Sequence, residues 1–362
     1  MTRCRIRHTS MTTNTESTGS ADVFASPAAL REAFENKLVL LLEQDQLGVF
    51  ILVLANASFE SSTFGRLYRP LASAFERWNK RFACGDHRVV DAPADDVAVF
   101  GRLRGLGFDK LEVSGWRRVG PWEIQFNQLR AFRPPRMSHL PVESPDTPFD
   151  PDGFHFDKPF LRKEIFWQGE LAGAPVRLLY NKFPFAEMHG LLVPHPGDGK
   201  QQFLTREDHT LIWEIAQQLG RHLPGLGFGY NAHGAYASVN HLHFQMFMRS
   251  SGHYPIESSH WSHNAGATPY PLPVQRHDDC RCAWQALRQL HAAGSAYNLL
   301  YRPGSVYIVE RAMQGSYAHS AWTGGFAWSE LAGAITTSDA VDFERLSEGD
   351  IGAEFRRLAI TP

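Results

Sequence analysis

The sequence predicts an α+β protein in which an antiparallel sheet with covering helices follows a mainly helical N-terminal region. Apolar residues recur every three or four positions from residue 26 to about residue 110, which is the spacing of amphipathic helices. From residue 111 onward, short alternating or wholly apolar segments are separated by turn residues, as in strands and hairpins. One long amphipathic segment stands between two of these strands, so we expect it to pack as a helix against the sheet.

The N-terminal region carries clear helix signals but little functional signal. Ser26 suits an N-cap and Pro27 the first helical position, and amphipathic segments follow at 61–82 and 93–106. Residues 1–22 are rich in Thr and Ser and lack an apolar stretch, so we expect a disordered lead-in rather than a secretory signal.

The strands and their covering helices are predicted from local patterns after residue 111. Glu and Gln alternate with Trp and Ile in 121–131, while 164–167 and 176–180 suit paired strands across a Gly-rich turn. The remaining expected elements are a buried strand at 190–194, a Thr-capped helix at 205–220, a helix at 282–291 and a hairpin at 296–310. Seven prolines between residues 134 and 159 predict a long extended connection.

Composition excludes several function classes. The chain has 362 residues, 43% of them hydrophobic, and a formal net charge of −2, so it can bury a large core and has no excess charge for nucleic acid or a membrane surface. No apolar run approaches the roughly 18 residues of a membrane span. Four cysteines form no disulfide framework in so long a chain, which favours a cytoplasmic protein.

The segment 237–248 carries the strongest functional signal. If it is a strand, alternation places His241, His243 and Gln245 on one face and Leu242 with its apolar neighbours on the other. Two interpretations compete for the polar face: histidines satisfied at the edge of a core, or an imidazole held as a nucleophile or metal ligand. A Gly-rich approach at 227–236 favours the second, because its backbone N–H groups can come close to phosphate oxygens.

The sequence from Asn231 to Gln245 resembles the active-site segment of the GDP-hexose phosphorylases, in the transferase branch of the histidine-triad superfamily. The resemblance implies a histidine-triad-like antiparallel sheet with covering helices, similar to that of galactose-1-phosphate uridylyltransferase, with a duplicated unit in this chain as an alternative. It also implies that His243 is the nucleophile, His241 its orienting neighbour and Gln245 the donor to the transferred phosphoryl group. Some uridylyltransferases bind a metal through a Cys-x-x-Cys pair and the first His; that pair is missing, so no metal or other cofactor is expected.

Further binding residues are expected around this segment. Asn127 and Arg130 resemble an Asn-x-x-Arg loop of the family, although a solvated loop is the simpler interpretation of their spacing. Asn181 and Lys182 resemble a turn that faces the nucleotide, with a surface Lys as the alternative. The remaining candidate donors near the phosphoryl group are Asn231, Gly234, Ser238 and Asn240.

The implied reaction is phosphorolysis of a nucleoside diphosphate sugar, preferably a GDP-hexose, with inorganic phosphate through a nucleotidyl-His243 intermediate. Diadenosine tetraphosphate phosphorolysis and nucleotide hydrolysis at the same site are alternatives. The 17 histidines, seven of them between His233 and His277, also admit a non-catalytic metal- or nucleotide-binding protein. A homodimer is a further expectation. The expected divisions are a lead-in at 1–22, a helical region at 23–110, a catalytic domain at 111–335 and a C-terminal helical tail at 336–362.

Overall fold

The computed structural model describes residues 23–133, 142–250, 252–337 and 339–360, so the expected lead-in at 1–22 and part of the proline-rich connection lie outside the described residues. The helices are α1 (Pro27–Leu42), α2 (Leu47–Ala57), α3 (Ser61–Cys84), α4 (His87–Val90), α5 (Ala94–Leu106), α6 (Gln128–Ala131), α7 (Arg206–Gly220), α8 (Cys280–Ala292), α9 (Trp328–Leu331), α10 (Ala340–Arg345) and α11 (Glu348–Leu358).

Two sheets organise the rest of the chain. The strands are β1 (Gly115–Val119), β2 (Trp122–Phe126), β3 (Ile165–Leu171), β4 (Ala174–Tyr180), β5 (Glu187–Pro194), β6 (Gly227–Asn231), β7 (Phe244–Met248), β8 (Val274–His277), β9 (Ala296–Arg302), β10 (Ser305–Arg311) and β11 (Ala334–Thr337). Eight of them form an antiparallel sheet in the order β3-β4-β5-β7-β6-β9-β10-β8. The small sheet β1-β2-β11 joins β11 to β2 in parallel.

The N-terminal helices pack onto the large sheet. The Ser26 hydroxyl caps α1 by accepting from the Ala29 N–H, and Pro27 opens the helix, as predicted. Helix α2 is buried along nearly its whole length, because its apolar residues are surrounded by α1, α3 and α5. Phe34 of α1 contacts Tyr180 of β4 edge to face, and the Tyr180 hydroxyl donates to the Phe34 carbonyl at 2.6 Å.

Each face of the large sheet is covered by a different core. Phe228 and Tyr230 of β6 and Phe244 and Met246 of β7 point into a core shared with α7, α8 and the N-terminal helices. Phe247 points into the second core, which contains the small sheet and the C-terminal helices. Strand alternation therefore gives β6 and β7 two buried faces.

The predicted α+β class, with an antiparallel sheet and a helical N-terminal region, is confirmed. Helix α7 begins after a capping box formed by Thr205 and Asp208, and β9 and β10 form the predicted hairpin. The expected strand at 237–248 is shorter, because only Phe244–Met248 pairs with β5 and β6. The segment between β7 and α8 contains β8, which pairs with β10. Across the described ranges, no helix combines the length and apolarity of a bilayer span.

Candidate active site

His243 lies immediately before β7, and its backbone is held by a fully buried side chain. The Gln202 carboxamide oxygen accepts from the His243 N–H at 2.9 Å, while the amide nitrogen donates to the His243 carbonyl at 3.2 Å and to the Asn231 carbonyl at 2.9 Å. These three bonds connect the entry to β7 with the end of β6. The backbone of His243 is therefore fixed although it lies outside the strand.

The hydrogen bonds of the His243 ring define its tautomer. Its Nδ1 lies 2.8 Å from the His241 carbonyl, which only accepts hydrogen bonds, so Nδ1 carries the proton. The lone pair of the neutral ring is then on Nε2, which makes no hydrogen bond within the described parts of the chain. Burial lowers the pKa of His243 to about 4, against a smaller rise from the His241 carbonyl, so the ring is neutral at pH 7.

The His241 ring contacts the Phe156 ring, as the His243 ring does, and its centre lies 5.7 Å from the Phe156 centre. Its Nδ1 accepts from the Phe156 N–H at 3.1 Å, which leaves the proton on Nε2, 3.6 Å from a carboxylate oxygen of Asp157. Burial lowers the pKa of His241 to about 4, while the Asp157 charge opposes that shift. The hydrogen bond to the His243 ring is made by the backbone carbonyl of His241, while the His241 imidazole contacts the Phe156 N–H and Asp157.

His155, Asp157 and His241 have ligand atoms within 4.8 Å of one another, which is close enough for a metal ion. Their hydrogen bonds argue against metal binding. Nδ1 of each histidine accepts from a backbone N–H, so Nε2 carries the proton in both rings and has no lone pair to offer. Asp157 is also engaged, by the Arg177 guanidinium at 2.8 Å and the Gly197 N–H at 3.0 Å.

Gln245 lies on β7 and is partly exposed on the face opposite Phe244. Its carboxamide oxygen lies 3.1 Å from Nε2 of His189 and 2.9 Å from the indole Nε1 of Trp328. The pKa of His189 is lowered to about 3, mainly by burial and also by the nearby Arg130 charge. His243, Gln245, His189 and Arg130 therefore belong to one neighbourhood.

Arg130 approaches this neighbourhood from α6. Asn127 caps that helix by accepting from the Arg130 N–H at 2.8 Å, and it is 3% exposed. The Arg130 guanidinium donates to the Phe183 carbonyl at 2.8 Å and lies 4.7 Å from the centre of the Phe185 ring. Asn127 thus acts on the helix end, while Arg130 brings positive charge toward His189.

The two expected binding residues Asn181 and Lys182 lie in different surroundings. Asn181 lies beside His189, and its carbonyl accepts from Asn56 of α2 at 3.0 Å. Lys182 donates to Asp96 of α5 at 2.5 Å, so its ammonium is engaged at the interface with the helical region. The predicted phosphate contact of Lys182 therefore competes with an ion pair.

The Gly-rich approach has a structural function in this conformation. The Asn231 side-chain oxygen accepts from Trp328 N at 2.9 Å and from Asn298 at 2.7 Å, and the Asn240 oxygen accepts from the Gln202 N–H at 2.9 Å. Gly234 has φ +84°, and a Cβ there would lie 2.4 Å from the Met313 sulfur. The fourth expected residue of this segment, Ser238, is exposed.

The site is nearly closed. His243 is 3% exposed, and the Phe156 ring centre lies 4.9 Å from the centre of its ring. An open cavity of about 420 Å³ lies elsewhere, beside Arg311 and Tyr317, and His243 does not line it. Phe156, itself 6% exposed, therefore covers part of the His243 ring.

Three residues of this site were not identified from the sequence, namely Gln202, His189 and Trp328. A polar residue within an apolar segment was the only signal for His189, and no motif marks Gln202 or Trp328. Each acts through a long-range hydrogen bond, which periodicity does not report.

Comparison with known proteins agrees with the sequence interpretation. Residues 122–247 match the family model described as GDPGP1-like, N-terminal domain, which confirms the resemblance noted above. No curated protein matches the chain at a significant level. Yeast Ap4A phosphorylase Apa2 in complex with Ap4A is similar at 17% identity and a TM-score of 0.47, covering 68% of this chain and 90% of that chain. A second structure of yeast Apa2 gives 15% identity and a TM-score of 0.48, covering 68% and 88%.

Proposed function

We propose that the chain, whose residues 122–247 match the GDPGP1-like N-terminal domain, is an enzyme of the nucleotidyltransferase and phosphorylase type that transfers a nucleotidyl group through His243. The observation that carries the proposal is the His243 ring itself. Its Nδ1 donates to the His241 carbonyl at 2.8 Å, so the lone pair of the neutral ring is on Nε2 and is available for attack.

The proposed reaction has two displacements at one phosphorus. Nε2 of His243 attacks the α-phosphorus of a nucleoside diphosphate sugar, forming a P–N bond as the bridging P–O bond breaks and sugar 1-phosphate leaves. The ring becomes a nucleotidyl imidazolium, and its Nδ1–H donates more strongly to the His241 carbonyl because the ring is now charged. Inorganic phosphate then attacks the same phosphorus, the P–N bond breaks, and the nucleoside diphosphate leaves with His243 neutral again.

Two groups are proposed to stabilise the phosphoryl oxygens. The Gln245 amide nitrogen makes no hydrogen bond within the described residues, whereas its oxygen is engaged twice. Arg130 supplies a positive charge close enough to lower the pKa of His189. A donor and a charge fixed before the reaction stabilise the charge that develops on the phosphoryl group. Phe156 moves aside in this proposal, because it covers the His243 ring.

We propose a GDP-hexose as the substrate, with inorganic phosphate as the acceptor. The support is the GDPGP1-like match together with the resemblance of the segment from Asn231 to Gln245 to GDP-hexose phosphorylases. Diadenosine tetraphosphate and other nucleoside diphosphate sugars use the same displacement at phosphorus, so they are the substrates to compare.

Intact-mass measurement tests the proposal directly. The protein is incubated without phosphate with GDP-glucose, UDP-glucose, ADP-glucose or diadenosine tetraphosphate, and we expect an adduct of one nucleotidyl group that phosphate then removes. His243→Ala should form no adduct and turn nothing over, whereas His222→Ala, at an exposed position, should behave as wild type. An adduct of unchanged yield on His243→Ala would refute the assignment of the nucleophile.

A further inference from the structure

The orientation of the Gln245 carboxamide is set by two side chains from distant parts of the chain. His189 lies at the start of β5, and Trp328 lies on α9, outside the segment that matches the family model. Both place a ring N–H near the same carboxamide oxygen, at 3.1 Å and 2.9 Å. These two contacts determine which end of the Gln245 carboxamide can face a bound substrate.

The proton on His189 is assigned by its other neighbour. Nδ1 of His189 accepts from the Phe185 N–H at 3.3 Å, and a backbone N–H can only donate. Nε2 therefore carries the proton of the neutral ring and donates to the Gln245 oxygen, so it does not accept from the Asn181 amide nitrogen, which lies 3.3 Å away. The Trp328 indole nitrogen can only donate as well.

Two donors occupy both lone pairs of the Gln245 oxygen. If the carboxamide turned over, its NH₂ group would face two N–H donors, and no hydrogen bond could form on either side. The amide nitrogen must therefore point away from His189 and Trp328. A glutamine is otherwise free to turn about its last bond, so the two donors define its orientation.

Trp328 is itself held firmly. Its backbone N–H donates to the Asn231 side chain at 2.9 Å, and its indole stacks on Phe247 at 4.9 Å between ring centres. Gly229, paired with Gln245 across the strands, leaves room for the indole, because a Cβ there would lie 2.2 Å from the Trp328 ring. The indole is 1% exposed, so its N–H has little access to water.

We propose that His189 and Trp328 are positioning residues that turn the Gln245 amide nitrogen toward the transferred phosphoryl group. This inference rests on the proposed function, in which Gln245 donates to that group. It assigns a role in the site to a C-terminal residue that the family match does not cover. Neither residue contacts the substrate, and each acts only through Gln245.

A double-mutant cycle separates this role from a structural one. With GDP-glucose and phosphate, we expect Gln245→Ala to lower kcat by about 10²-fold, as when one oxyanion donor is lost. Trp328→Phe should lower kcat about tenfold in the wild type with little change in KM, but less than about twofold in the Gln245→Ala background. Equal losses in both backgrounds would overturn the proposal. Trp116→Phe, at a half-exposed indole, is the matched control and should leave kcat unchanged in both backgrounds.

A conservative variant covers the case in which Trp328→Phe fails to fold. His189→Gln keeps an N–H donor where Nε2 stands, so it should retain more kcat than His189→Leu; equal activity of the two would overturn the proposal. Gln245→Glu offers oxygens to both donors but no donor to the phosphoryl group, so the fold should survive and turnover should not.

NMR distinguishes failure of this inference from failure of the proposed function. We expect ¹⁵N spectra to report the Nε2–H tautomer of His189, and the Trp328 indole proton to shift and exchange faster in Gln245→Leu. These readouts need no substrate. The Nδ1–H tautomer, or an indole proton insensitive to Gln245→Leu, would overturn the inference whether or not phosphorolysis is observed.

Discussion

Replacing Gln202 with Met tests how the site is held. Methionine has a similar length and volume but cannot form the three hydrogen bonds of the buried carboxamide. The His243 N–H then lacks its acceptor in an environment without water, which costs about 1–3 kcal/mol. Each lost bond to the carbonyls of His243 and Asn231 adds about 0.5–1.5 kcal/mol. We therefore expect Gln202→Met to lower the free energy of unfolding by about 3 kcal/mol.

The neighbouring residue provides the control. Gln201 donates to Asp146 at an exposed position, so Gln201→Met should change the free energy of unfolding by about 0.5 kcal/mol or less. Urea unfolding monitored by Trp fluorescence measures both variants, with the m-value expected to stay constant. Equal stability of the two variants would refute the argument that Gln202 fixes the backbone of His243. In the folded Gln202→Met variant, kcat should also fall, by up to about 10²-fold, because the nucleophile is displaced.

Two further predictions concern charge and close packing. Burial lowers the pKa of His243 to about 4, so between pH 6.5 and 4 the unfolded chain binds a proton that the folded chain does not, and stability falls as the pH decreases through this window. His243→Gln should therefore reduce the slope of unfolding free energy against pH by up to about 1.4 kcal/mol per unit, and an unchanged slope would contradict this origin. Gly229→Ala places a Cβ 2.2 Å from the Trp328 ring and should destabilise by about 1–3 kcal/mol, whereas Gly65→Ala, with open space on a helix, should stabilise slightly. Thermal melting compares these two variants, and equal shifts would exclude the steric argument.

Local patterns predicted the elements that are specified locally. The Ser26 and Thr205 caps, the amphipathic helices and the β9–β10 hairpin each depend on residues close in sequence, and all are present. The segment before β7 was harder to predict. Its alternating sequence suits a strand, but its hydrogen-bond partners do not belong to a neighbouring strand. Residues 241–243 are bound instead by Gln202 and by the Lys200 carbonyl, which lie between β5 and α7.

The difference between local and long-range contacts also explains which residues of the candidate site the sequence indicated. His243 and Gln245 were proposed as site residues because two histidines and a glutamine at alternate positions are unusual next to a Gly-rich segment. The roles of Asn231 and Lys182 could not be predicted, because the competing partners Trp328 and Asp96 come from other elements. A polar residue beside an active site can bind the ligand or hold the protein, and sequence spacing alone does not separate these two functions.

The C-terminal region therefore contributes more to the site than its distance in sequence indicates. Helix α9 brings Trp328 over Gly229, and β11, directly after that helix, pairs in parallel with β2. Strand β2 in turn leads into α6, which carries Arg130. One connected set of contacts thus extends from the Gln245 amide through α9, β11 and β2 to the Arg130 guanidinium. Loosening the β2–β11 pairing should disturb both the proposed donor and the proposed charge, although neither strand carries Gln245 or Arg130.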